Sequence, residues 1–261
     1  MPEQKIALIT IDYPPRRGGV ARYLKNLVDA SHGAMEVFQP EIKAGFFGWR
    51  SVIQLIRDLR RRGYQSIFVS HVLPIGTAAW IVQMFDGLPY TILCHGLDIQ
   101  LASRSAWKRW LTRRILRAAV LIIANSEYTK LLLQQLDPGL SVEVLTPGVE
   151  PIDFLPHDEA RRRLNIKEQE CILLSVTRLV SRKGLDQLIV LLKELPSHVH
   201  YVMIGDGEDR ERLQNLVKSQ HIEQCVTFIL QASDEERNLW YAAADIFVLP
   251  ARQEGRDVEG F

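Results

Sequence analysis

Arg178 and Lys183 stand in the stretch SVTRLVSRKG (Ser175 to Gly184). An apolar run, CILLSV (Cys171 to Val176), leads into them and reads as a buried strand, because it is short, continuous and rich in Leu, Ile and Val. GLDQLIVLLKEL (Gly184 to Leu195) follows, with Leu185, Leu188, Ile189 and Leu192 at the spacing of one helical face. The two cations therefore occupy a strand-to-helix turn at the carboxyl end of a strand, where open parallel sheets bind ligands. Two cations above a helix N-terminus suit a phosphate or diphosphate. Loop Lys and Arg are also often merely solvated, and that reading stands beside the first.

Two further stretches have the same placement. DYPPRRGG (Asp12 to Gly19) joins a strand (Lys5 to Ile11) to a helical segment (Val20 to Ala30), and Gly18 and Gly19 let backbone come close to a bulky anion. The pattern is not GxGxxG, so no dinucleotide fingerprint is present, and Gly-Gly also serves simply as a turn. His95, followed by Gly96, ends the strand Tyr90 to Cys94. It is either a hydrogen-bonded loop residue or a contact on the ligand-binding edge.

A third stretch bears on partners. SRSAWKRWLTRRILRAA (Ser103 to Ala119) gathers Trp107, Trp110, Leu111, Ile115 and Leu116 on an apolar side. Lys108, Arg109, Arg113, Arg114 and Arg117 crowd the rest, with no acid among them. Tryptophans beside cations are what a helix lying on an anionic bilayer needs. A surface helix that packs its tryptophans inward and solvates its arginines accounts for the same pattern.

The elements that must position these residues alternate. Strands are expected at Lys5–Ile11, Met35–Gln39, Gln65–Ser70, Tyr90–Cys94, Ala119–Ala124, Glu143–Leu145, Cys171–Val176, Val199–Ile204, Val226–Ile229 and Asp245–Leu249. Helical segments lie between them, including Trp49–Arg62 with Val52, Ile53, Ile56 and Leu59 inward, and Ile75–Phe85. Ser126 and Ser233 are placed as N-caps, the latter with Glu236 in a capping-box position. Gly205-Asp206-Gly207 opens into acidic residues, which disfavour direct phosphate contact, so it reads as a structural turn. This alternation predicts parallel sheets with helices on both faces.

The 261 residues suffice for two α/β domains, with boundaries expected at 1–150 and 151–261 across the proline-rich Pro147–His157. Net charge is +1 but unevenly spread: residues 1–150 carry 18 Lys and Arg against 12 Asp and Glu, and residues 151–261 carry 14 against 19. The basic first half is expected to face an anionic partner. Cys94, Cys171 and Cys225 form no C-x-x-C pair and read as reduced thiols of a cytosolic protein. No signal peptide is visible at the start, and AAVLIIA (Ala118 to Ala124) is too short to span a bilayer.

Taken in order, these pieces resemble the retaining GT-B-fold glycosyltransferases of family 4. The carrying segments are PPRRGGVARYLKNL, CHGLD, ANSEYTKLLL, VLTPGVEP, LLSVTRLVSRKGLDQLI, YVMIGDGEDRERL and WYAAADIFVLPARQEGRDVEGF. The last is similar to the bacterial subgroup that contains phosphatidylinositol mannosyltransferases. The resemblance implies an α/β protein of two Rossmann-like domains facing across a cleft, an acceptor-side domain followed by a nucleotide-sugar donor domain. It implies that Gly18 and Gly19 approach the donor diphosphate, that Arg178 and Lys183 neutralise it, and that His95 sits beside the sugar. Glu259 matches the first glutamate of an E-x7-E motif that holds the sugar hydroxyls.

The chemistry suits these residue types. Breaking a sugar–phosphate bond develops charge on the departing nucleoside diphosphate, which fixed cations stabilise. No cofactor and no metal are expected. The implied function is transfer of a hexose, such as mannose, from a GDP- or UDP-sugar to a lipid-linked or polysaccharide-precursor acceptor in cell-envelope synthesis. The resemblance also implies that anomeric configuration is retained by front-face attack, without a protein nucleophile. The implied location is cytoplasmic, peripheral on the inner membrane face through Trp107, Trp110, Arg113, Arg114 and Arg117, with no nucleic-acid partner.

Three departures accompany the resemblance. The second glutamate of the motif falls beyond Phe261, so the second domain is expected to be incomplete and the chain by itself inactive. Thr177 stands where relatives often have Gly, and ILQ (Ile229 to Gln231) lacks a usual glycine, which leaves the base open. The competing function is a nucleotide-sugar-binding protein without turnover. A nicotinamide-dependent enzyme is disfavoured by the missing GxGxxG.

Overall fold

The structure is a computed structural model that describes residues 5–16, 18–42, 49–102, 105–149 and 151–252. The chain divides into two compact units, with the boundary after Val149. In the first, β1 (Ile6–Ile9), α1 (Gly19–Ala30), β2 (Met35–Phe38), α2 (Trp49–Arg61), β3 (Ile67–Ser70), α3 (Thr77–Asp86), β4 (Tyr90–Cys94), α4 (Leu97–Ala102), α5 (Ala106–Ala118), β5 (Leu121–Ala124), α6 (Glu127–Leu136) and β6 (Glu143–Val144) follow one another. The strands form one parallel sheet in the order β2-β1-β3-β4-β5-β6.

Successive strand residues point to opposite faces, and each face has its own core. Ala7 and Ile9 of β1 join Val52, Ile56 and Leu59 of α2 in one cluster. Leu8, between them, joins Tyr23 and Leu24 of α1 in another. Burial on both faces is why β1 and β4 read as continuous apolar runs and not as alternations. Ser126 caps α6 through its hydroxyl, which accepts from the Thr129 N–H at 3.2 Å.

The second unit carries α7 (His157–Arg163), β7 (Cys171–Val176), α8 (Leu185–Leu191), β8 (Val199–Ile204), α9 (Arg210–Gln220), β9 (Val226–Ile229), α10 (Asp234–Ala243) and β10 (Ile246–Phe247). Its strands are also parallel, in the order β10-β7-β8-β9. Leu173 faces a cluster with Leu185 and Ile189, whereas Ile172 and Leu174 face one with Trp240 and Tyr241. Ser233 caps α10 by accepting from the Glu236 N–H at 3.0 Å. A buried arginine staples this unit. Arg161 donates to Asp245 Oδ2 at 2.9 Å and to the carbonyls of Lys167 and Glu170, while Asp245 Oδ2 also accepts from the Ile172 N–H at 2.7 Å.

Strands β1, β2, β3, β5 and β6 are shorter than expected, and four further places differ. The helix expected over Ser103–Ala119 begins at Ala106, behind Ser105, and the short α4 precedes it. Residues Val72–Gly76 make a π-type turn before α3, after His71 takes a φ of 77° and redirects the chain. The segment Gly184–Leu195 is α-helical only over Leu185–Leu191, flanked by 3₁₀ turns at Ser181–Lys183 and Leu192–Glu194. Left-handed Gly184 separates the first turn from the helix, and Pro196 forces Leu195 into extended backbone. The last strand is shorter than Asp245–Leu249, although Asp245 and Val248 still donate backbone bonds to Ile172 and Leu174.

Candidate functional site

The second sheet changes direction of growth at β7, which has β8 on one side and β10 on the other. The loop that leaves β7 there carries Arg178, which is exposed, and Lys183, which is half-buried. Its path is set by backbone packing against glycines. A Cβ on Gly205 would lie 2.0 Å from the Thr177 carbonyl oxygen, and one on Gly207 would lie 2.1 Å from that of Leu179. Leu179 N–H donates to the Asp206 carbonyl, and Asp209 N–H donates back to Leu179, each at 3.0 Å. Gly205 and Gly207 thus clasp the loop that holds Arg178.

The far end of that loop is held from β10. Gly184 takes a φ of 67°, and a Cβ there would lie 2.0 Å from the Pro250 carbonyl oxygen. Arg252 donates its backbone N–H to the Arg182 carbonyl at 2.9 Å and its guanidinium to Asp186 at 3.1 Å and Ser181 Oγ at 2.9 Å. Asp186 also pairs with Arg212, which is bound to Asp209 as well, and these two carboxylates push the Arg212 guanidinium pKa upward. Pro250 and Arg252 are therefore docked on the cation loop. Glu259 itself lies outside the described residues.

The first sheet changes direction at β1, between β2 and β3. Here the structure gathers side chains that composition did not single out. His95, at the end of β4, is 8% exposed, and its Nε2 is 3.0 Å from Ser70 Oγ. Ser70 Oγ is in turn 3.0 Å from His71 Nδ1, and His71 Nε2 is 3.1 Å from Asp12 Oδ2. The two imidazoles lie 5.5 Å apart, and Tyr23 meets His95 edge-on at 5.7 Å.

Their ionisation differs. Burial pushes His95 down to about 4, and nearby His71 lowers it further against the charges of Asp98 and Asp12. Burial also acts to lower His71, but hydrogen bonding to Asp12, the charges of Asp98 and Asp12 and a bond to the Ser70 backbone outweigh it, and the net direction is up. Asp12 is held below the usual carboxylate range, first by its bond to His71.

Polar atoms are left open beside this row. His95 Nδ1, Asp98 Oδ2 and Asn125 Nδ2 are buried without a hydrogen-bond partner, although Asp98 Oδ1 accepts from the His95 N–H at 3.0 Å and Asn125 Oδ1 from Thr129 Oγ1 at 2.7 Å. Leaving such a group unmet costs about 1–3 kcal/mol. A ligand hydroxyl, which both donates and accepts, can meet donors and acceptors alike. Gly18, with a φ of 151°, forms the N-cap of α1 and Gly19 opens it, so the unpaired N–H groups of that helix start beside the same sheet edge. Sequence reasoning found His95 and missed Asp12, Ser70 and His71. The available signal was position, since Ser70-His71 ends β3 as His95 ends β4.

In α5, Trp107 is 54% exposed and Trp110 55% exposed, while Ile115 and Leu116 are buried. The tryptophans do not pack inward, and Lys108 and Arg114 lie over their rings at 5.9 and 5.6 Å. Arg113 and Arg117 have a different occupation. Arg113 Nε donates to the Leu136 carbonyl at 2.8 Å, and Arg117 makes two bonds to buried Asp137, so both cap the end of α6. No helix among the described residues is long and apolar enough to cross a membrane.

The chain is 27% identical to the GDP-mannose-dependent alpha-(1-6)-phosphatidylinositol monomannoside mannosyltransferase of Mycobacterium tuberculosis, over 98% of its own length and 75% of that protein's. Among solved structures it is similar in fold to sucrose-phosphate synthase from Thermosynechococcus elongatus, with a TM-score of 0.79 at 21% identity, covering 95% of this chain and 75% of that one. It is also similar to Anabaena HepE in complex with UDP-glucose, with a TM-score of 0.65 at 20% identity, covering 93% and 72%. These likenesses give the α/β GT-B fold. The family model of Glycosyltransferase Family 4 matches residues 31–152 and that of Glycosyl transferases group 1 matches residues 156–261, and the chain belongs to this glycosyltransferase family.

Proposed function

We propose that the protein transfers a hexose, with mannose the leading candidate, from a GDP- or UDP-sugar to a lipid-linked or polysaccharide-precursor acceptor, with retention of anomeric configuration. One observation carries the donor half of this reading: Arg178 is presented at the sheet's turning point on a loop clasped by Gly205 and Gly207. Arg178 and Lys183 stabilise the charge that develops on the departing diphosphate, and no metal ion is assigned to that task. The N–H groups opening α1 at Gly18 and Gly19 approach the same diphosphate, His95 meets the sugar, and Glu259 holds its hydroxyls. The acceptor half leans on the mycobacterial relative, whose name specifies GDP-mannose and a phosphatidylinositol mannoside. Exposed Trp107 and Trp110, ringed by Lys108 and Arg114, support contact with an anionic membrane surface.

The test is to offer labelled GDP-mannose and UDP-glucose, with vesicles holding phosphatidylinositol mannosides, to a version extended through the second glutamate of the E-x7-E motif, and to determine the linkage of any product. Labelled lipid with the donor's own anomeric configuration is the expected result. An inverted product overturns retention. Binding of neither nucleotide sugar overturns the donor assignment.

A further inference from the structure

His95 has one ring nitrogen engaged and one buried without a partner, and which of them carries the proton decides what it offers a ligand. The row that ends on it contains one hydroxyl, Ser70, between two imidazoles, and a hydroxyl has a single hydrogen to give. At the outer end, His71 Nε2 faces the Asp12 carboxylate at 3.1 Å and can only donate to it. If His71 is protonated, its Nδ1–H donates to Ser70 Oγ, and the Ser70 hydrogen must then go to His95 Nε2. Nε2 is an acceptor in that arrangement, so the His95 proton sits on Nδ1. If His71 is neutral, both bonds of Ser70 reverse while His71 Nε2 still donates to Asp12: Ser70 donates to His71 Nδ1 and accepts from His95 Nε2–H, which leaves His95 Nδ1 as a bare lone pair. The protons balance, since the one lost when His71 titrates leaves the row at His95 Nδ1.

We propose that Asp12, His71 and Ser70 are positioning residues that hold the His95 proton on Nδ1, so that His95 meets the sugar as a hydrogen-bond donor. The sugar in this statement rests on the glycosyl-transfer reading above; the relay does not. The surroundings shift His71 toward the protonated arrangement. Charge around the two rings comes from Asp12 and Arg16 after β1 and from Asp98 on α4. Tyr23 on α1 and Cys94 at the end of β4 remain neutral, because burial pushes the first to about 12 and the second well upward. The two carboxylates draw His71 toward its protonated form, and burial keeps a second proton off His95. His71 holds its place through these bonds despite a φ of 77°, a conformation that residues other than glycine rarely adopt.

Nitrogen-15 NMR of ring-labelled histidine in the whole protein reads the tautomer directly. Below the titration of His71, His95 should show a protonated Nδ1 and a bare Nε2, and the two should exchange roles as pH rises through that titration. Asp12→Asn, on the partly exposed outer end, should move the exchange down by about one pH unit or more. Ser70→Ala should uncouple the rings, so that His95 no longer follows His71. A purely structural hydrogen bond moves neither signature. A protonated Nε2 on His95 throughout, or a tautomer unchanged in both variants, overturns the relay. Addition of GDP-mannose or UDP-glucose should shift the Nδ1–H resonance. If calorimetry detects donor binding and the resonance stays put, the contact with the sugar is overturned. If neither donor binds, the glycosyl-transfer reading falls while the pH series still decides the relay.

Discussion

In the first unit the strand order turns at β1, and the groups beside it are Asp12, Ser70, His71 and His95, largely buried and joined side chain to side chain. In the second it turns at β7, and the groups are Arg178 and Lys183, on a loop fixed by backbone contacts to Gly205, Gly207 and Gly184. Both follow the rule that open parallel sheets offer ligands the carboxyl ends of strands at such a turning point. They differ in what makes them precise. The first depends on protonation, so pH should perturb it. The second depends on the absence of Cβ atoms, so steric change should perturb it, while exposed Arg178 answers to salt.

The largest effect is expected from filling the clasp. Gly207→Ala places a methyl 2.1 Å from the Leu179 carbonyl oxygen, and Gly205→Ala adds an unfavourable φ of 137° to a similar clash. Each should destabilise the second unit by about 3 kcal/mol, read by denaturant unfolding, and should displace Arg178 as well. Unchanged stability in both would mean that the loop yields freely. Next, in a version extended through the second glutamate of the motif, Lys183→Ala should lower transfer about a hundredfold, the scale of one charge-stabilising group. Wild-type turnover in that variant would remove Lys183 from the site.

A smaller effect separates the units by pH. Asp12 is depressed, so its contribution is present above its unfolded pKa and fades as pH falls through the folded one. His71 is raised, so its contribution is present below its unfolded pKa and fades as pH rises through the folded one. The pair therefore stabilises the first unit most between the two titrations, from mildly acidic toward neutral pH. Because Asp12 is partly exposed, the gain should be about 1 kcal/mol or less, and Asp12→Asn should flatten it in melting curves. A curve unchanged by that substitution would contradict the pairing.

The tryptophan-bearing helix gives a last comparison. Trp107→Ala with Trp110→Ala should weaken sedimentation with phosphatidylglycerol vesicles and leave the melting temperature nearly unchanged, since both rings are exposed. Arg117→Gln should instead lower stability, because it leaves buried Asp137 without its guanidinium. Equal binding to neutral vesicles would remove the membrane reading.

Much of the sheet architecture was legible because burial on both faces leaves continuous apolar runs, as at Tyr90–Cys94 and Cys171–Val176, whose bounds coincide with β4 and β7. Arg178 and Lys183 were legible as a strand-to-helix pair, and His95 as a strand-end histidine. The clasp was not, because nothing local to Gly205 or Gly207 shows that Thr177 and Leu179 pass over them from the neighbouring strand end. Asp12 and His71 were missed for the same reason: their pairing spans β1 and β3, and neither residue is unusual in its own loop. The arginines of α5 looked alike in sequence, yet Arg113 and Arg117 reach α6 while Arg114 lies over Trp110.

The central claim is that the clasped cation loop binds the donor's diphosphate, and calorimetric titration of GDP and UDP into the wild type, Arg178→Ala and Gly207→Ala tests it most directly. At least one nucleotide should bind the wild type, with affinity that falls as salt is raised. Both variants should bind more weakly by tenfold or more, Gly207→Ala without having lost any charge. Equal affinity in all three proteins would place the diphosphate elsewhere and contradict the account.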